Sequence, residues 1–240
     1  MAGKRGGKRS TLVHARVAPE VVLLANGDVW IHGGVGQWSH AIHKHAPVTT
    51  DERWVAKRAS CVAESTNLAA PPADAVVWDA ATRELRPTKK WPGKPALGRL
   101  VLGDEVTLRV GGKRAEDAGR LGVRDSPIDV VTIEGPGSSS TTLKLAVARV
   151  DPTLTPLRDG RVVVSGGYTI TTDFSWEDVL HGDTAVEVID PRLGTVRRAG
   201  ELQVARYHHA AIEVAPGKIL VVGGASRDGT PIDAVELIAV

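Results

Sequence analysis

The sequence predicts an all-β protein assembled from four copies of a four-stranded unit. Three observations carry this. A short Gly-containing turn, an apolar run and a Gly-Gly pair recur four times, at residues 26–34, 103–112, 159–167 and 217–224. A β-branched run partly alternating with polar residues follows each copy, at 73–79, 127–133, 184–190 and 231–238. Each copy is also preceded by an apolar segment, at 21–24, 97–102, 153–157 and 210–214. Self-similarity at this period is the signature of a repeat architecture, so it is read before any motif.

Taken in order, the preceding segment and the run ending in Gly-Gly form a hairpin, because the turn between them is short and Gly-rich. Pro152 and Pro156 interrupt the third copy and weaken its first strand. The Gly-Gly pair ends the second strand in an abrupt bend beside neighbouring backbone, which a residue without a Cβ permits. A phosphate cradle would need a helix after the glycines, and strands follow instead, so the eight glycines read as structural. The β-branched runs are third strands. Turns at 80–83, 135–138 and 190–194 lead to short fourth strands at 84–86, 141–145 and 195–198. The last copy has no fourth strand, but a strand-like segment stands alone at 11–17. In a ring of sheets that leading strand completes the last one, and closure removes exposed edges.

These motifs resemble the Kelch repeat family of the bacterial type. The resemblance rests on the four Gly-Gly pairs, on Val77-Trp78-Asp79, on Val188-Ile189-Asp190-Pro191-Arg192-Leu193-Gly194, and on Ala205-Arg206-Tyr207-His208-His209-Ala210-Ala211 as a first-strand entry. It covers most of residues 11–240, is strong over 155–240 and faint over 35–72. It implies a Kelch-like β-propeller of about four four-stranded blades, with the N-terminal strand completing the last blade. Such families usually build five to seven blades. Four make either a compact ring or an open arc completed by a partner or a second copy. The expected organisation is a flexible basic tail over 1–10 and the propeller over 11–240, with a long loop inserted in blade one at 35–72.

Composition narrows the function. The chain has 240 residues, with 30 basic and 28 acidic side chains, a net charge of +2. That balance argues against a dedicated nucleic-acid binder. The local basic cluster Lys4, Arg5, Lys8 and Arg9 gives at most a weak nucleic-acid contact. One cysteine, Cys61, excludes a disulfide framework and a multi-cysteine zinc site. No apolar run reaches the roughly 18 residues of a membrane span, and no apolar segment follows the basic start, so a cytoplasmic protein is expected.

Up-and-down strands place the second-to-third and fourth-to-first connections on one face. The second-to-third connections, 35–72, 113–126, 168–183 and 225–230, are the long ones, and long loops on a rigid scaffold carry function. They supply the candidate partner anchors Trp38, Trp54, Arg58, Arg114, Tyr168, Phe174 and Trp176, aromatic and Arg residues of the kind that dominate interfaces. The competing reading packs Trp38 and Trp54 onto the sheet beneath. A short helix is expected over 54–63. Arg206, at a strand entry, reads either as an anion contact or as a structural tie between strands.

His40, His43 and His45 are spaced to offer ligands from one loop, and zinc is the metal they would suit, with Asp51, Glu52 or Cys61 completing the set. Nucleophile elbows, Walker loops and His-Glu-x-x-His are missing. Galactose oxidase, an enzymatic relative of Kelch propellers, needs paired tyrosines and a modified cysteine, whereas this chain has only Tyr168 and Tyr207. The expectation is a non-catalytic, cofactor-free interaction module, an adaptor or accessory subunit of a larger complex. The alternative is a metal- or small-ligand-binding propeller of hydrolase type using the three histidines.

Overall fold

The computed structural model describes residues 9–39, 44–64, 68–79, 84–102, 106–117, 123–135, 140–172 and 178–240. The described chain is all β, in antiparallel sheets. No helix among the described residues is long and apolar enough to cross a membrane. The chain divides into two compact units.

The first unit comprises Met1–Pro95, His209–Gly224 and Thr230–Val240. One of its sheets runs, edge to edge, through Arg9–Thr11, Ala234–Ala239, Lys218–Val222 and Ala210–Ala215. Its outer strand is N-terminal: Arg9 lies opposite Glu236 and Thr11 opposite Ala234. The strand is shorter and earlier than the expected 11–17, because Leu12 turns inward and the following residues build the tie described below. The second sheet has six strands, in the order Ser60–Ala63, Glu52–Val55, Val29–His32, Glu20–Leu24, Ala75–Asp79 and Glu84–Pro87. The two sheets share a core of Leu12, Val21, Leu23, Val29, Ile31, Trp54, Val76, Ala210, Leu220, Val222 and Val235.

The second unit comprises Ala96–His208 and Ala225–Gly229. One sheet runs through Arg99–Leu102, Val106–Val110, Val130–Glu134 and Ser140–Lys144. The other runs through Thr153–Pro156, Val162–Ser165, Asp178–Asp190 and Thr195–Arg206, with Tyr168–Thr172 paired to the leading half of Asp178–Asp190. Their core is Leu108, Val110, Val131, Ile133, Leu145, Leu154, Val162, Val164 and Ile189. Every residue of Val162–Ser165 is buried, as a strand covered on both faces requires. Thr153–Pro156 forms despite its prolines because it is an edge strand.

Residues 35–72 correct the sequence reading. They contain four strands rather than a loop. Glu52–Val55 and Ser60–Ala63 continue the repeat as its third and fourth strands, and the expected helix over 54–63 is their hairpin. Ala75–Asp79, expected as the third strand, instead pairs with Glu20–Leu24 at the other side of the sheet. The expectation failed because Glu52 occupies a core-facing position and breaks the apolar pattern. Trp54 alternates with it and is 4% exposed, so it is a core residue and not a partner anchor.

Glu52 is buried because Arg16 meets it. The Arg16 guanidinium, fully buried, donates to Glu52 Oε1 at 2.5 Å, to the Gly33 carbonyl at 3.0 Å, to Thr50 O at 3.2 Å and to His14 O at 3.3 Å. The Val13 and His14 amides donate to the same carboxylate. The second unit repeats this. Arg149 donates to Glu187, to Gly166 O at 3.1 Å, to Ala185 O at 2.8 Å and to Val147 O at 3.3 Å, and the Ala146 amide donates to Glu187. In both, Leu-x-x-Ala-Arg ties a strand entry to a third strand 36 or 38 residues later. Gly34 and Gly167 let these entries close in, since a Cβ there would lie 2.8 Å from Val17 O and 2.7 Å from Val150 O.

Trp54→Ala is expected to lose about 3–5 kcal/mol of unfolding free energy in a denaturant titration. Glu187→Gln removes the carboxylate that Arg149 hydrogen-bonds, leaving Asp183 as the remaining negative charge acting on it, and is expected to cost about 3 kcal/mol by the same measurement.

Candidate functional site

Two residues after each tie, the backbone takes a left-handed conformation. Ala18, Asp151 and His208 have φ of 49°, 47° and 51°, and each lies two positions beyond Arg16, Arg149 and Arg206. A non-glycine residue held there costs on the order of 1 kcal/mol or more, and such strain collects at functional sites. Two of the three side chains carry chemistry, and both belong to the second unit.

That unit brings Asp151, Tyr168, Tyr207 and His208 to one end of its sheets. Tyr168 follows a Gly-Gly pair and exchanges backbone hydrogen bonds with Val150 at 2.7 and 2.9 Å. Tyr207 does the same with Ala225 at 3.1 and 2.8 Å. The tyrosine rings meet edge to face with centroids 5.3 Å apart. The His208 ring lies 5.1 Å from Tyr207 and 6.4 Å from Tyr168. His208 Nε2 stands 3.5 Å from Asp151 Oδ2, and both side chains reach solvent. The hydrogen bond from His208 holds the Asp151 carboxyl below the usual range, against a burial effect that pushes it up, and the positive charges of His208 and Lys113 add to the lowering. Burial, Asp228 and Tyr168 push the Tyr207 hydroxyl upward. The result is an anionic carboxylate and an imidazole presented to solvent on a buried aromatic base. It suits polar recognition, with both groups fixed by strained backbone.

The expected sharing of one face by second-to-third and fourth-to-first connections is what joins Tyr168 to Tyr207. The individual anchors fare differently. Tyr168 is 8% exposed and supports the site from beneath, contrary to its expected role as a contact residue. Arg206 is fully buried and its Nε donates to Val204 O at 3.2 Å, the same local bond that Arg16 and Arg149 make. It is a structural tie rather than an anion or partner contact, because no part of its guanidinium reaches solvent. Arg58 is exposed in the turn between Glu52–Val55 and Ser60–Ala63. Phe174, Trp176, His40 and His43 lie outside the described residues, as do the side chains of Trp38 and Arg114. His45 is exposed, with Nδ1 at 3.0 Å from Gly36 O. Among the described residues no three His, Cys, Asp or Glu side chains converge as a metal-holding group. Burial, aided by the charge of Glu52, pushes the Cys61 thiol up to about 12, which suits neither a zinc ligand nor a nucleophile. Asp151 and the left-handed backbone were not visible in the sequence; the recurrent Arg-x-x-Pro of Arg16–Pro19 and Arg149–Pro152 was the available signal.

Three of the four second-to-third connections are paired strands rather than irregular loops. Val35–Ser39 pairs with Lys44–Pro47, Lys113–Asp117 with Val123–Pro127, and Tyr168–Thr172 with residues 178–182, each as an antiparallel ribbon. In the second unit Val123–Pro127 packs beside Tyr168–Thr172. Asp178–Asp190 continues unbroken from its ribbon, at residues 178–182, into the core sheet, where residues 186–189 pair with Val162–Ser165.

No known family model matches the chain, and no curated protein matches it. Among solved structures, one titled "Structure of YjhT" superposes with a TM-score of 0.45 at 13% identity, covering 94% of this chain and 82% of that one.

Replacing His208 by Gly, which tolerates the left-handed backbone, is expected to raise the Asp151 titration midpoint toward the ordinary aspartate range, read by carboxyl NMR. A depressed folded-state pKa adds stability above the unfolded value and loses it as pH falls through the folded value. The parent is therefore expected to lose more stability than the variant on acidification across that window.

Proposed function

We propose that the chain is a non-catalytic interaction module on a Kelch-like propeller scaffold of about four sheets, which grips a protein partner with the ribbons of its second-to-third connections. The observation that carries this reading is the drawing-out of three such connections into paired strands. At 3.2–3.4 Å per residue, five residues of ribbon extend about 17 Å. Paired strands hold a binding surface more rigidly than loops and reduce the ordering cost of association. Trp38, Arg58, Arg114, Phe174 and Trp176 are the contact residues of this reading, and Asp151 and His208 supply polar contacts at the ribbon base. Trp54, Tyr168 and Arg206 hold the scaffold. The protein acts in the cytoplasm as an adaptor or accessory subunit and uses no cofactor.

The test is partner capture from native lysate by cross-linking and mass spectrometry, comparing the parent with Trp38→Ala and with Phe174→Ala/Trp176→Ala. A defined partner lost from the variants, with the unfolding midpoint unchanged, is the expected result, and each anchor is expected to cost about 2 kcal/mol or more of binding. A partner retained by all three proteins removes the ribbons as its site. Turnover of a substrate dependent on Asp151 or His208 overturns the non-catalytic reading.

A further inference from the structure

After the strand Glu84–Pro87 the chain reads Thr88-Lys89-Lys90-Trp91-Pro92-Gly93-Lys94-Pro95. From Arg86 to Pro95 there are four cationic residues and no acidic one. Arg86, Lys89, Lys90 and Lys94 are all exposed, and among the described residues the three lysines pair with no carboxylate. Pro87, Pro92 and Pro95 restrict the backbone, and no regular secondary structure covers 88–95.

This strap is fastened to the first unit by its one aromatic residue. The Trp91 ring stacks on His32 with centroids 4.2 Å apart and planes 13° from parallel. His32 Nδ1 lies 2.9 Å from Asp51 Oδ1. Asp51 is fully buried and also accepts from Trp30 Nε1 at 2.8 Å and from the Leu68 amide at 3.1 Å. Trp91 and Trp30 together cover Val22, Leu24 and Ala75. Gly93 N donates to Glu20 Oε2 at 3.2 Å, and the Thr88 hydroxyl exchanges hydrogen bonds with the Lys90 backbone. The aromatic ring is turned inward and the cations outward, on a segment pinned at both Trp91 and Gly93.

We propose that this strap binds the phosphodiester backbone of duplex nucleic acid through charge alone. The surface offers charge and little else. A protein interface selects against Lys and centres on aromatic or apolar anchors, and the strap has turned its aromatic away. Stable seating on a membrane surface adds apolar insertion to charge, and the strap presents no apolar side chain to insert. Recognition of unpaired bases needs exposed aromatic platforms, again missing here. Exposed ammonium groups carried on a pinned segment suit a linear polyanion, where affinity arises from counterion release. With a net charge of only +2 there is little long-range steering, so the contact is local and strongest at low salt.

The experiment is fluorescence anisotropy of a labelled duplex of about 20 base pairs, titrated with the full chain between about 20 and about 200 mM NaCl. Three phosphates neutralised by Lys89, Lys90 and Lys94 give a slope of log K against log salt of about −2.7 from the strap. Lys89→Gln/Lys90→Gln/Lys94→Gln is expected to flatten the slope by about 2.7 and to weaken binding at least tenfold at the low-salt end. Its unfolding midpoint is expected to match the parent, because all three side chains are exposed. Lys4→Gln/Arg5→Gln/Lys8→Gln keeps the strap's share of the slope. Unchanged duplex binding in the Lys89/Lys90/Lys94 variant, or loss of all binding in the tail variant, overturns the proposal. So does tighter, strap-dependent binding to oligoglutamate or to vesicles of anionic phospholipid.

Discussion

The buried arginine–glutamate tie is the interaction on which the rest of the chain depends. A guanidinium carries five N–H donors and no acceptor, so burying it is tolerable only when those donors are met. Arg16 places four of them on three carbonyls and one carboxylate, and Arg149 four on a matching set. Several constraints follow from those partners. The carbonyls of Gly33 and Gly166 must face the arginine, which places the Gly-Gly bend. The glutamate must project inward from the third strand, which fixes that strand's register. The chain must then reverse to enter the first strand, which puts Ala18, Asp151 and His208 into left-handed backbone. Solvent-facing chemistry at Asp151 and His208 is thus a by-product of an interior electrostatic requirement.

The sheet containing Arg99–Leu102 shows what happens without the tie. Pro95 stands four residues before that strand, where Arg16, Arg149 and Arg206 stand before theirs. Thr132 occupies the middle of its third strand, where Glu187 sits in the neighbouring sheet. Both partners are missing together, as the cost of an isolated buried charge demands. The entry is secured by backbone instead: Gly98 N donates to Pro152 O at 2.9 Å, and Leu154 N to Ala96 O at 2.8 Å. One repeat has therefore exchanged a buried ionic anchor for hydrogen bonds between adjacent entries.

Much of the strand inventory was legible because it follows apolar pattern. Val29–His32, Val106–Val110, Val162–Ser165 and Lys218–Val222 each sit between a Gly turn and Gly-Gly, so their boundaries are written in residues of special backbone freedom. Glu52–Val55 was illegible because its inward positions alternate a carboxylate with a tryptophan, and a buried charge cannot be recognised before its partner is found. The ribbons were illegible for a different reason. A two-stranded extension has no buried face to impose alternation, so its sequence reads as loop. Tyr168 and the Arg206–His209 entry stood out separately in the sequence, yet neither their meeting nor the side-chain directions were readable. Arg206 is buried and donates to the Val204 carbonyl, while His208, two residues on, reaches solvent.

The strand Glu84–Pro87 closes one side of the six-stranded sheet. Thr88 N donates to Ala75 O, so Arg86 and Glu84 use their backbone groups on the strand behind, and those of Leu85 and Pro87 point away from it. Proline has no amide hydrogen, which leaves Leu85 as the one outward donor of that strand. An incoming β-strand would find a single donor where a ladder needs several, flanked by charges at Glu84 and Arg86. The margin of the sheet is thereby blunted against templating its own aggregation, even though every residue of Glu84–Pro87 is exposed to water.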